Sequence, residues 1–371
     1  MLYPTGWTTK RLDPDSVRRI LIIRTSALGD VLHVLPALAA LREQFPKAQV
    51  SWFVEPLGGA ILEGHPGIDD LIVFDRKRWT RSLRYPWQWG ASARELGALV
   101  RRFRSSRFDL VIDFQNNFRS GLSTLLSGGR WRLCFHASDC REFGGWVFAN
   151  LRAPPCPLLQ PRILKNLHLV RSIGFEGPCP TPRLPIPDHD REWAQAEIDA
   201  MPGKGPVVTV HPAVSKYGLL KQWPAEHFNT LIRELTERRD VRVLVSWGPG
   251  ELELAEEVAQ GTSAVIAPLT DRLLRLAALI GDSHLVVAGD TGCLHLAAAL
   301  HVPVLGIYGP KSPNTYGPYP NTGRVIQSDV PCSPCNLRRC EHRICLDTLL
   351  PERVADEALA VLDETAKSAT T

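Results

Sequence analysis

The chain has 371 residues, 44% hydrophobic and 22% charged. This is the balance of an ordinary soluble globular protein, not a disordered or fibrous one, and the length predicts two domains. The formal charge of +4 is too small for a general nucleic-acid binder, so where the charges sit matters more than their sum.

Met1–Trp7 lacks the basic-then-apolar pattern of a secretory signal, and no uninterrupted apolar run is long enough to span a bilayer. The chain therefore reads as cytoplasmic, with contact to a membrane face left open. Nine cysteines in so long a chain do not indicate a secreted disulfide scaffold.

In chain order, apolar β-branched strands are predicted at Arg19–Arg24, Gln49–Val54, Asp70–Phe74, Phe108–Phe114 and Arg132–Phe135. Between them, helical periodicity covers Val31–Phe45, Ser92–Ser105 and Phe118–Leu126, and a further helix is predicted over Arg162–Ile173. Such alternation implies a parallel sheet covered on both faces. The proline-dense stretch Gly177–Pro187 cannot enter a sheet interior and reads as a semi-rigid connector, placing a domain boundary near residue 180. The alternation then resumes with strands at Val207–His211, Val241–Trp247, Ala264–Ala267, His284–Ala288 and Val302–Tyr308. Helices are predicted at Pro224–Arg238, Gly250–Gln260, Asp271–Ile280 and Thr291–Leu300, with a last amphipathic helix at Glu352–Ala366.

Two strand-to-helix turns stand out: Thr25-Ser26-Ala27-Leu28-Gly29-Asp30 and Gly289-Asp290-Thr291-Gly292. Each sets free backbone N–H groups and a helix start at the carboxyl end of a strand, the geometry that receives phosphates and catalytic groups in α/β sheets. One in each half suggests two Rossmann-like domains facing a central cleft. Asp30 reads locally as a helix cap more readily than as a general base. The second turn suits a diphosphate, with His295 one helical turn beyond Thr291. Lys221 is either a charge for a leaving diphosphate or a solvated lysine, and Glu251 either a ribose contact or a first-turn glutamate.

From Arg76 to Arg107, arginines interleave with Trp79, Tyr85, Trp87 and Trp89. A solvated helix face explains Arg101–Arg107 but not four exposed aromatics. A phosphorylated glycolipid at a membrane surface, or RNA as its rival, would suit them. Cys332-x2-Cys335-x4-Cys340-x4-Cys345 has the density of a zinc or iron–sulfur site without a standard spacing, leaving metal, disulfide and reduced thiols open. Two Asp-x-Asp triplets, Asp13–Asp15 and Asp188–Asp190, lie in proline-rich segments where turn and cap chemistry accounts for them.

Thr25–His33 with Leu35-Pro36-Ala37-Leu38, Lys221-x-Trp223-Pro224, Trp247-Gly248 with Glu251, Asp290-Thr291-Gly292-x-x-His295-Leu296-Ala297-Ala298 and Tyr308-Gly309-Pro310 occur in one order. Together they resemble the lipopolysaccharide heptosyltransferases, glycosyltransferase family 9, of GT-B fold. The resemblance implies an acceptor-binding domain over residues 1–180, a nucleotide-sugar domain over 181–350, and a helix over 351–371 that commonly packs back on the first domain. It implies inverting transfer of heptose from ADP-heptose to Kdo or the first heptose of the lipid A-linked core, with Asp30 as general base. Ser215, Lys221, Glu251, Asp290, Thr291, Gly292 and His295 would then meet the donor, and Arg78, Arg81 and Arg119 the acceptor. No cofactor or nucleic acid is implied, and the place is the inner face of the inner membrane, as a peripheral protein. Rival readings are a family transferase using another nucleotide sugar or a later core acceptor, and a non-catalytic lipid- or RNA-binding protein on this scaffold.

Overall fold

A computed structural model describes residues 10–140, 144–157, 160–319, 323–337 and 339–369; Met1–Trp7, quoted above for its lack of a signal pattern, lies outside them. The chain divides into two compact units, 1–185 and 186–371, at the end of the proline-dense connector.

The first unit is built on β1 (Arg19–Ile23), β2 (Gln49–Val54), β3 (Asp70–Val73), β4 (Leu110–Asp113), β5 (Trp131–Cys134) and β6 (Leu151–Arg152). They lie in the order β3-β2-β1-β4-β5-β6, every pairing parallel. Ile20, Leu21, Ile22 and Ile23 are all fully buried, so consecutive side chains are covered on both faces, as a parallel sheet requires.

The second unit repeats the plan with β7 (Val207–His211), β8 (Arg242–Val245), β9 (Val265–Ile266), β10 (Leu285–Gly289), β11 (Val304–Tyr308) and β12 (Gly323–Gln327). Their order is β12-β11-β10-β7-β8-β9, again parallel throughout. Numbered within its own unit, each sheet has the order 3-2-1-4-5-6 of a dinucleotide-binding fold. The strand order reverses between β1 and β4 and between β7 and β10. Ligands of such sheets bind outside the carboxyl ends of the strands at that reversal, which singles out the loops that follow β1, β4, β7 and β10.

The predicted helix Val31–Phe45 is two helices, Leu28–Leu32 and Leu35–Gln44. Pro36 sits in the first turn of the second. It lacks an N–H and its ring opposes the carbonyl four residues back, so one continuous helix could not pass through it. The chain turns at His33, whose carbonyl accepts Asn166 Nδ2 at 2.9 Å.

The last helix, Pro351–Ala369, lies within the second unit. Its buried stripe of Val354, Ala355, Ala358, Val361 and Leu362 joins the core formed by β7, β8, β10 and β11 and the helix Ala225–Arg238. Arg238–Asp356 and Arg324–Glu357, each at 2.7 Å, flank it. No helix among the described residues is long and apolar enough to cross a membrane.

Candidate active site

In the first unit the reversal point is organised by Arg24, directly after β1. Its buried guanidinium donates through Nη1 to the Phe114 carbonyl after β4 at 2.7 Å. Its Nη2 lies 2.5 Å from Asp30 Oδ2. Asp30 is the third residue of the helix Leu28–Leu32, whose N-cap position is Ala27. The cap reading of Asp30 is thereby corrected: its carboxylate is turned to an arginine on the preceding strand, not to its own helix start. Burial works to raise the Asp30 carboxyl, but the positive charges of Arg24, Arg162 and His33 outweigh it and hold the group below the usual carboxylate range. The side chain remains partly open to solvent. The result is an ionised carboxylate at the edge where a ligand would lie.

The two loops of this reversal are tied together: Thr25 N–H donates to Gln115 Oε1 at 3.1 Å. Gln115 is in turn held by Asp113, which is wholly buried at the end of β4. The Asp113 carboxylate accepts the N–H groups of Gln115 and Asn116, each at 2.9 Å, and the Ser120 hydroxyl at 2.7 Å. Burial pushes the Asp113 carboxyl up to about 6, against those hydrogen bonds. A folded-state value above the ordinary 3.8 means the folded chain holds this proton more tightly than the unfolded chain. The associated stabilisation is present below pH 4 and lost as pH rises through 6, by roughly 3 kcal/mol. Asp113→Asn is expected to remove that fall. Denaturant unfolding between pH 4 and 7 checks it; parallel pH dependences for the two proteins would contradict it.

Arg119 is exposed in the first turn of the helix Phe118–Ser127, which Asn117 and Ser120 cap reciprocally. Arg78 and Arg81 are exposed on the helix Arg76–Ser82 after β3, and Arg78 pairs with Glu95 at 2.5 Å. Because the strands are parallel, Arg78, Arg81, Asp30 and Arg119 all follow carboxyl ends along one sheet edge. Arg119 belongs to the strand beside that of Asp30, whereas the Arg78 helix follows a strand two places away. Four exposed aromatics were expected near here, but Trp79 is half-buried, donating through Nε1 to the Ser92 carbonyl at 2.9 Å.

In the second unit, Lys221 Nζ donates to the Asp290 carbonyl at 2.7 Å and to Asp290 Oδ2 at 2.8 Å. His295 Nε2 lies 3.4 Å from Asp290 Oδ1. Lys221 is therefore not a solvated lysine; it joins the loop after β7 to the turn after β10 at the reversal point. Burial opposes ionisation of Asp290, but the His295 hydrogen bond and the Lys221 charge prevail and hold its carboxyl well below the usual range. Burial, with a further contribution from the same carboxylate, raises the Tyr308 phenol well above its ordinary value. Thr291 takes the N-cap position of the helix Gly292–Ala299 without a side-chain capping bond, and its hydroxyl is buried with no hydrogen-bond partner in the structure. The turn thus offers an uncommitted hydroxyl beside the N–H groups of a helix start.

Glu251, after β8, is half-buried and accepts the Gly248 N–H at 2.7 Å; burial raises its carboxyl in spite of that bond. Ser215 is exposed at the start of the 3-10 turn Lys216–Lys221. These residues follow β7, β8 and β10, three adjacent strands. His211, ending β7, is fully enclosed against Ser246; burial lowers its imidazole to about 4, so it is a neutral part of the floor.

Arg24, Asp113 and Gln115 were missed from sequence. A basic residue ending an otherwise apolar strand was the available signal for Arg24; nothing local marked the other two. Both Asp-x-Asp triplets do structural work. Asp13 accepts the Asp15 N–H at 3.0 Å, and Asp190, in the first turn of the helix Asp188–Asp199, is buried against Arg272. Cys332, Cys335, Cys340 and Cys345 are unpaired thiols. Among the described residues no group of three or more His, Cys, Asp or Glu side chains is placed to hold a metal ion.

Residues 96–344 match the model of glycosyltransferase family 9 (heptosyltransferase). Lipopolysaccharide heptosyltransferase 1 of Pseudomonas aeruginosa is 30% identical over 363 residues, covering 93% of this chain and 98% of that protein. The E. coli heptosyltransferase WaaC solved with ADP superposes with a TM-score of 0.72 at 27% identity, over 94% of this chain and 99% of that one. A structure of WaaC with ADP-2-deoxy-2-fluoro heptose gives 0.69 at 26% identity, over 93% and 99%. Two α/β units, each built on a parallel sheet, and a family match spanning the second half of the first unit and most of the second, lead to one conclusion: this chain is a glycosyltransferase and belongs to family 9, the heptosyltransferases.

Proposed function

We propose that this protein transfers heptose, with inversion, from ADP-heptose to the inner core of lipopolysaccharide, the acceptor sugar being Kdo or the first heptose of the lipid A-linked chain. The observation that carries the mechanism is the ionised Asp30 carboxylate, held by Arg24 at the reversal point of the first sheet and free of any capping duty. Two structures of one relative, WaaC, with ADP and with ADP-2-deoxy-2-fluoro heptose, support the donor.

In this reading an acceptor hydroxyl oxygen attacks the anomeric carbon. The bond from that carbon to the diphosphate breaks, ADP leaves with the electron pair, and the hydroxyl proton passes to Asp30. Arg24 makes Asp30 a weaker base than a lone carboxylate, so the proton moves late, once the forming bond has acidified the hydroxyl. Lys221, Thr291, Gly292 and Ser215 receive the diphosphate, where negative charge grows as the bond breaks. Glu251 accepts from the ribose hydroxyls, and Asp290 with His295 orients the heptose. Arg78, Arg81 and Arg119 meet the carboxylates or phosphates of the acceptor. No cofactor enters these steps. The lipid-linked acceptor makes the protein a peripheral one at the cytoplasmic face of the inner membrane.

Thermal unfolding with ADP, UDP and GDP tests the donor site. ADP at one hundred times its Kd is expected to add about 2.7 kcal/mol, and UDP and GDP markedly less at equal concentration. Turnover with another nucleotide sugar but with no ADP-sugar would end the heptose proposal.

A further inference from the structure

The stretch from Arg76 to Arg107 holds ten basic residues and one acid, Glu95, and Glu95 is already paired with Arg78. Within it, Leu83, Tyr85, Trp87 and Trp89 are exposed, the two indoles by 77% and 57%. They are contiguous: the Tyr85 and Trp87 rings lie 5.1 Å apart, and Trp89 Nε1 donates to the Leu83 carbonyl at 2.9 Å. Pro86 opens the short 3-10 turn that projects Trp87. Arg84 and Arg94 flank this knob and are exposed. Neither the donor nor the acceptor chemistry described above uses any of these six residues.

We propose that Leu83–Arg94 docks the first unit on an anionic phospholipid bilayer, the indoles and Tyr85 seated at headgroup depth and Arg84 and Arg94 on lipid phosphates. The proposal rests on the reading that the acceptor is membrane-bound, and it specifies the surface that meets the bilayer. Indole and phenol rings favour the bilayer interface because one end is apolar and the other bonds to water. Arginines beside them gain from the negative surface potential. Single-stranded RNA is the poorer fit, since Tyr85 and Trp87 pack on one another and leave no gap for a base to enter between them.

The test is co-sedimentation of the full chain with vesicles that contain no lipopolysaccharide, made of phosphatidylcholine alone or with phosphatidylglycerol. Binding is expected only with phosphatidylglycerol and is expected to fall with salt. The Trp87→Ala/Trp89→Ala variant and, separately, the Arg84→Gln/Arg94→Gln variant should each bind roughly tenfold more weakly. Both should keep the ADP-induced thermal shift and turnover on a water-soluble truncated acceptor, which excludes misfolding. Equal vesicle binding by the wild type and both variants would overturn the proposal, as would absence of wild-type binding. So would a demonstration that these residues serve RNA binding or self-association instead. Because the vesicles carry no acceptor, failed sugar transfer with intact vesicle binding would strike the transfer reading alone.

Discussion

Asp30→Asn is expected to lower kcat about a thousandfold while leaving ADP affinity unchanged. Asparagine keeps the size of the side chain and an oxygen facing Arg24, but it cannot take a proton. Stability should fall by only about 1 kcal/mol, because the Asp30 side chain is more than one-third exposed and the pair is partly screened. Arg24 also keeps its bond to the Phe114 carbonyl. The pH profile separates a base from a merely structural carboxylate. Arg24, Arg162 and His33 hold Asp30 below its ordinary value against burial, so the acid limb of kcat/KM assigned to this base should lie below about pH 4 and vanish in the variant. Unchanged turnover would remove Asp30 from the reaction.

Lys221→Ala should show the second large effect, on donor binding and on stability together. Lys221 bridges two segments through a carbonyl and a carboxylate of the same residue, 69 positions away. Without it, Asp290 keeps a largely buried charge with His295 as its remaining partner, at a cost of about 3 kcal/mol. The loss of charge at the diphosphate should raise the donor KM by about a hundredfold. The Lys221→Ala/Asp290→Asn double variant divides the two effects: stability should recover because no uncompensated carboxylate remains, whereas donor affinity should not. An unaltered donor KM in Lys221→Ala would show that this lysine serves folding only.

The central strands were legible in the sequence because both their faces are buried, which leaves an unbroken apolar run. Gln49–Val54 and Val207–His211 were predicted with the boundaries observed. The edge strands β6 and β12 were missed: one has two residues, and the other begins at Gly323 and ends at Gln327. Neither carries an apolar run. The division of Val31–Phe45 followed from Pro36, a breaker plainly visible in the chain but outweighed by the apolar periodicity around it. At the site, the strand-to-helix turns marked Asp30 and Asp290–Gly292. Their partners were hidden for different reasons. Arg24 reaches Asp30 only after the chain turns back on its strand. Lys221 meets Asp290 only because β7 and β10 are neighbours, and that adjacency is set by strand order rather than by local spacing. Asp113 looked like the end of a strand; its burial under Gln115, Asn116 and Ser120 gives it a role in shaping the first loop pair.

The central claim is tested most directly by the product formed from ADP-heptose and a Kdo-terminated or monoheptosylated lipid A-linked acceptor, characterised by mass spectrometry and NMR. The expected result is one added heptose on one of these acceptors, with inverted anomeric configuration and one ADP released per sugar transferred. Retained configuration would contradict direct displacement with Asp30 as base, and no heptose on either acceptor would contradict the assigned reaction.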